Sequence, residues 1–312
     1  MAKPKKDLLP DVYDNLFHAP DPAVYGYFAA HQKHPFQLAA PNLALVNAWW
    51  AADSAVLSYV NDQAKVEAVL AAAGFTQPAF FGNWGGVHPE DGPTQCFLAQ
   101  HGNLVIASFR GTEKEEFADL VDDLRLFPSD QGDFWAHQGF CSALDRVWPK
   151  VKTHLDAILQ THPAAEIWFT GHSLGAALAT LAACRYNGKA RSTLLYTFGS
   201  PRVGSITMGA KLAGCHNYRF VNSSDVVTLV PLPPIYCHTG QEIYITSTGA
   251  LLDSVSLGDL VLAALRHDGA ALVLSLATLE KALANKGSGS APPYIVGNHS
   301  PARYPTLIWN AM

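Results

Sequence analysis

Apolar positions recur in two rhythms along this chain. Residues 42–59 follow helical spacing with Pro41 near their start, and Asp62 predicts the cap of a second helix that runs through Ala73 and stops at Gly74. From about Thr94 the pattern shifts to short, densely apolar runs: residues 96–100 and 104–109, joined by His101-Gly102-Asn103, predict a strand hairpin. Residues 113–126 predict a helix with Phe117, Leu120, Val121 and Leu124 on one face. Residues 140–159 predict another, broken or re-aimed at Pro149. A strand at 166–170 then runs into Gly171-His172-Ser173-Leu174-Gly175 and a helix at 176–186. Residues 194–198 and 218–222 read as buried strands with a helix at 208–213 between them, and residues 235–238 with 242–246 read as a hairpin around Thr239-Gly240-Gln241. Strands alternating with long helices place the chain in the α/β class, with a mostly parallel sheet covered on both faces.

Two segments stand outside this alternation. Residues 1–40 are rich in Pro, Asp, His and aromatics without a sustained period, which predicts an arm lying against the core. Residues 251–285 predict a helical insertion, with Leu272, Leu276, Leu279 and Leu283 at helical spacing and few charges. The insertion reads equally well as a core helical pair or as a wall or cap over a pocket. Gly287-Ser288-Gly289-Ser290 is too short and too late to separate domains, so the expectation is a single domain over 1–312.

Composition narrows the function classes. The 312 residues are 49% hydrophobic and 15% charged, well below the usual charged share of about 25%, which argues for a packed protein. A net charge of -5 offers no basic stripe for phosphates, against a nucleic-acid partner. No apolar run approaches the roughly 18 residues of a membrane-spanning helix, and the basic start lacks the apolar stretch of a secretory signal. The expectation is a soluble protein, cytoplasmic or exported without a classical signal peptide. Cys96, Cys141, Cys184, Cys215 and Cys237 form an odd, scattered set that reads as free thiols. The sequons at Asn222 and Asn298 read as chance matches, Trp49-Trp50 and Phe80-Phe81 as packing, and His31 with His34 as a polar surface turn.

The candidate chemistry centres on Ser173. A serine on a tight turn between a strand and a helix, flanked by glycines, presents its hydroxyl above the sheet, and the helix N-terminus behind it aims N–H groups at a developing oxyanion. The N–H of Leu174 is one such donor. In folds of this kind an acid and then a histidine follow the serine. Asp225, just past a buried strand, is the best placed acid, with a turn-capping role as its alternative and Asp253 and Asp259 as weaker rivals. Among His238, His267 and His299, the last sits in the turn-rich Gly297-Asn298-His299-Ser300-Pro301 and fits a loop base best. Thr112, after the strand ending in Phe109-Arg110-Gly111, fits a second oxyanion donor or a helix cap. His137 reads as a structural hydrogen-bonder.

These pieces together resemble the class 3 lipases, the family of the filamentous-fungal triacylglycerol lipases and their bacterial relatives. The resemblance covers roughly residues 94–245 and the region of His299. It rests on ordered motifs: Ser108-Phe109-Arg110-Gly111-Thr112, His137-Gln138-Gly139-Phe140, Thr170 through Gly175, Tyr196-Thr197-Phe198-Gly199-Ser200-Pro201, and Asn222 through Asp225 leading into Val230-Pro231. It implies an α/β-hydrolase fold with Ser173 as nucleophile, Asp225 as acid, His299 as base in a His-x(4)-Tyr setting with Tyr304, and Thr112 as the oxyanion residue. It also implies a carboxylic ester hydrolase, a triacylglycerol lipase first. A short-chain or aryl carboxylesterase with the same triad and a lipid-binding relative are the alternatives. No metal or organic cofactor is called for, and the partner is an ester or lipid at a lipid–water interface. The family's mobile helical lid would fall at 113–126, although Glu113-Lys114-Glu115-Glu116 is more charged than the family pattern.

Overall fold

The computed structural model describes Lys6, Asp7 and residues 18–86, 92–111, 128–231, 233–253 and 297–312. An eight-stranded sheet organises them, in the order β1 (Thr76–Gly82), β2 (Gln95–His101), β3 (Leu104–Phe109), β6 (Glu166–His172), β7 (Ser192–Phe198), β8 (His216–Asn222), β9 (Gln241–Ile245) and β10 (Leu251–Leu252). The pairs from β3 through β9 are parallel and the outer pairs antiparallel. The α/β class follows. A separate two-stranded ribbon joins β4 (Pro128–Asp130) to β5 (Trp135–His137).

The central strands are apolar throughout because both faces are covered. Successive residues alternate between two cores. Ile106, Trp168, Tyr196 and Phe220 enter one, with Trp49 and Trp50 of α1 (Leu45–Leu57) and Tyr304 and Trp309 of α6 (Arg303–Ala311). Val105, Ile167, Phe169 and Leu195 enter the other, with Phe140, Leu144, Val151 and Leu155 of α3 (Gln138–Thr161) and the alanine-rich α4 (Leu174–Tyr186). Small residues let α4 lie close on the sheet. Asp62 caps α2 (Gln63–Ala72) as expected, accepting from the Lys65 N–H at 3.1 Å. The arm is part of the first core: Phe28 stacks on Trp50 with ring centroids 5.0 Å apart.

Four expectations need correction. Pro149 does not break α3, which runs from Gln138 to Thr161 with Pro149 among its exposed residues. The helix expected at 208–213 is a single turn, α5 (Met208–Lys211). Residues 235–246 are not a hairpin: β9 pairs parallel to β8 and antiparallel to β10, while the Cys237 N–H goes to the Gly204 carbonyl. Leu251 and Leu252, placed in the helical insertion by their sequence, complete the sheet edge instead. The helices expected at 113–126 and beyond 253 lie outside the described residues, as do Asp259 and His267. Cys96, Cys141 and Cys184 are buried thiols, while Cys215 and Cys237 are half-buried. Among the described residues no helix is long and apolar enough to cross a membrane.

Candidate active site

Ser173 is built by the junction of β6 and α4. Its backbone sits at φ 58°, ψ -127°, a conformation that L-residues rarely adopt. The turn is tight enough that side chains are excluded on both flanks. A Cβ at Gly171 would meet the Gly175 carbonyl at 2.3 Å, and one at Gly175 would meet the Phe109 carbonyl at 2.1 Å. The Ser173 N–H donates to the Phe198 carbonyl at 3.0 Å, tying the turn to the end of β7. Although Ser173 occupies the N-cap position of α4, its hydroxyl does not cap the helix, and its buried Oγ has no hydrogen-bond partner among the described residues. Leu174 opens α4, where the first N–H groups have no acceptor within the helix.

Asp225 and His299 meet on the same edge of the sheet. Asp225 lies three residues past the end of β8, and His299 lies in the turn that precedes α6. His299 Nδ1 is 2.9 Å from Asp225 Oδ2 and 3.0 Å from Oδ1, with both side chains buried. Asp225 Oδ1 also accepts from the Val227 N–H at 3.0 Å, so the turn cap weighed for this residue coexists with its contact to His299. The ring of His299 lies against that of His172, centroids 4.4 Å apart, next in the chain to Ser173.

Three further groups hold this pair: Tyr304, which the family resemblance sets beside His299, and Asn222 and Asn298, noted in the sequence only as chance sequons. Tyr304 Oη donates to Asp225 Oδ2 at 2.6 Å; burial, and then the carboxylate itself, push the phenol well above its ordinary pKa, so it remains a donor. Asn222 Nδ2 donates to the Asn298 carbonyl at 2.9 Å, and Asn298 Nδ2 donates to Ser224 Oγ at 3.1 Å. Both sequon asparagines are thus buried and occupied in clasping the Asp225 loop to the His299 loop. The signal available beforehand was their position, each within three residues of a candidate site residue.

The rival residues are engaged elsewhere. His238 Nε2 sits 2.7 Å from the Thr228 carbonyl, and burial together with the Arg219 charge pushes its pKa down to about 3. Asp253 is exposed. His137 is buried against Phe140 and Tyr236, in keeping with a structural role. Thr112 lies outside the described residues; Gly111 before it is buried. Among the described residues no group of His, Cys, Asp and Glu could hold a metal ion.

Residues 106–234 match the family model of the class 3 lipases. The chain is 38% identical over 115 residues to a secreted mono- and diacylglycerol lipase A of Penicillium cyclopium, covering 36% of this chain and 38% of that protein. It is 35% identical over 133 residues to a lipase of Rhizomucor miehei, covering 40% of this chain and 36% of that one. The chain therefore spans less than two fifths of the length of these relatives. Among solved structures, it resembles the mono- and diacylglycerol lipase of Aspergillus oryzae with a TM-score of 0.56 at 25% identity, over 70% of this chain and 93% of that one. The architecture they share is the α/β-hydrolase fold. The family match spans the strand leading to Gly111, the Ser173 turn and Asp225 in order.

Proposed function

We propose that this chain is a serine carboxylic ester hydrolase, and within that class a lipase that cleaves glyceride esters. Ser173 attacks the ester carbonyl, His299 takes the serine proton and returns it to the leaving alcohol, and Asp225 orients the imidazole and stabilises its charged form. The Leu174 N–H and Thr112 receive the oxyanion, helped by the partial positive charge at the start of α4. Water then releases the acyl group from Ser173. The observation that carries this reading is the hydrogen bond of His299 Nδ1 to Asp225 at 2.9 Å, beside a serine held at φ 58° with no partner for its hydroxyl among the described residues. The reading takes 1–312 as one catalytic domain, supported by a single sheet that runs from residue 76 to 252 and by α6 packing on α1.

The glyceride preference is inferred from relatives described as mono- and diacylglycerol lipases. Hydrolysis of p-nitrophenyl esters from acetate to palmitate, compared between wild type and Ser173→Ala at matched folding, tests it. The variant should lose roughly 10⁴-fold or more of kcat. An optimum at long chains, with a rise in rate once substrate exceeds its solubility, supports a lipase acting at a lipid–water interface. An optimum at acetate or butyrate assigns a short-chain esterase with the same triad. Absence of turnover and of fluorophosphonate labelling leaves the lipid-binding alternative.

A further inference from the structure

His172 ends β6 immediately before Ser173 and is 1% exposed. Its Nδ1 lies 2.8 Å from Tyr59 Oη. Tyr59 follows α1 and is itself buried, which raises its phenol pKa and keeps the hydroxyl protonated. A protonated phenol can give or take the proton of this contact, and the hydroxyl also lies 3.5 Å from the His172 carbonyl, so Tyr59 holds the ring in place in either tautomer. Burial, with the nearby His299 as the second cause, holds His172 well below its ordinary pKa of 6.5, so the ring stays uncharged.

Two neighbours flank this pair. On one side Tyr59 fills the space above Gly111: a Cβ there would lie 1.8 Å from Tyr59 Oη and 2.6 Å from the His172 carbonyl. On the other side the His172 ring faces His299 at 4.4 Å with 36° between planes, and Tyr304 lies beyond at 5.7 Å. A buried row thus runs from the backbone preceding Thr112, through Tyr59 and His172, to the His299–Asp225 pair.

We propose that Tyr59 and His172 are positioning residues for ester hydrolysis: the Tyr59 hydroxyl fixes the plane of the His172 ring, and that uncharged ring is the wall that holds His299 beside Ser173. This rests on the Ser173–His299–Asp225 reading. The flat face of His172 at 4.4 Å limits rotation of the His299 ring about its Nδ1 contact with Asp225. The wall must also be neutral, because His299 becomes positive when it accepts the serine proton, and a charged neighbour would oppose that step.

The test measures kcat and KM on a soluble ester, the rate of fluorophosphonate labelling at Ser173, and the low-field proton resonance of the His299–Asp225 hydrogen bond. The proteins are wild type, Tyr59→Phe, His172→Ala and the double variant Tyr59→Phe/His172→Phe. The double variant keeps a flat ring and leaves neither member of the Tyr59–His172 hydrogen bond without its partner. Tyr59→Phe and His172→Ala should lower kcat and labelling roughly ten- to hundredfold, with KM within about twofold and the resonance broadened. The double variant should recover most of what His172→Ala loses. Unchanged kcat and labelling in the folded single variants would overturn the inference alone, as would a double variant no better than His172→Ala, or losses that only track the folded fraction. Failure of wild type itself to label would overturn the triad reading, and this inference with it.

Discussion

The Tyr304 hydroxyl bridges Asp225 and the backbone of β8: it donates to Asp225 Oδ2 at 2.6 Å and accepts from the Asn222 N–H at 3.2 Å. Both of its partners are buried, so its removal takes one of two hydrogen bonds from Asp225 Oδ2, which keeps His299 Nδ1 at 2.9 Å, and takes this acceptor from the Asn222 N–H. Tyr304→Phe should therefore cost about 1–3 kcal/mol in urea unfolding. Its effect on kcat should be larger, roughly tenfold, with little change in KM, because Asp225 would lose one of the groups that fix its rotamer. A variant that loses stability but keeps full kcat would show that the tyrosine is a packing residue only.

Gly199 follows β7 with φ 56°, and a Cβ there would lie 2.7 Å from Asp225 Oδ2 and 2.9 Å from His299 Nδ1. Gly188 has a comparable backbone, φ 81°, with nothing within 4 Å of its hypothetical Cβ. The two positions separate backbone strain from intrusion on the pair. Gly188→Ala should cost about 1 kcal/mol of stability and leave ester hydrolysis intact. Gly199→Ala carries a similar strain and in addition should lower kcat roughly a hundredfold by pushing the carboxylate and imidazole apart. Thermal unfolding and ester assays of both proteins, run side by side, make the comparison.

The elements legible from sequence are those whose residues are constrained locally. The β6–Ser173–α4 unit needs a strand apolar on both faces, glycines where the turn closes, and small residues on the helix; each of these requirements leaves a mark within twenty residues. The β2–β3 hairpin is equally local. The segment after Pro234 misleads for the opposite reason. Two short apolar runs around Thr239-Gly240-Gln241 look like a hairpin, but β9 gains its main partner from β8, a strand about twenty residues earlier, and no turn signal records parallel pairing. The site divides in the same way. Ser173, Asp225 and His299 stand out by residue type and chain order. The groups around them are visible only in space: Tyr59 contacts His172 across 113 residues, and Asn222 clasps Asn298 across 76.

The N-terminal arm has a measurable energetic share in the fold. Phe28 is 1% exposed, stacks on Trp50 at 5.0 Å and sits 5.9 Å from Phe75. Phe28→Ala should cost about 3–5 kcal/mol, the usual range for emptying an aromatic site in a close-packed core. A loss under about 1 kcal/mol in chemical denaturation would mean that the arm contributes little to the cooperative unit.

Asp53, buried in the middle of α1, ties this arm down by accepting from the Phe28 N–H at 2.7 Å and from Tyr25 Oη at 2.9 Å. Burial raises its pKa from 3.8 to about 6, against the opposing pull of the Lys6 charge and of the two hydrogen bonds. The folded protein therefore binds this proton more tightly than the unfolded chain. Between about pH 6 and pH 4, acidification stabilises the fold through Asp53, by about 2 kcal/mol. His238 and His172 act in the opposite sense: their pKa values are depressed in the fold, so the stability they contribute above about pH 6.5 is lost as the pH falls. Comparison with Asp53→Asn cancels those histidines, since both proteins contain them. The stability of wild type relative to the asparagine variant should therefore rise by about 2 kcal/mol between pH 8 and pH 4, with most of the change below pH 6. Urea unfolding of both proteins at pH 8, 6 and 4 measures that difference. A difference that stays flat over this range would mean that Asp53 is as acidic in the fold as in the unfolded chain, and that its hydrogen bonds to the arm offset the cost of its burial.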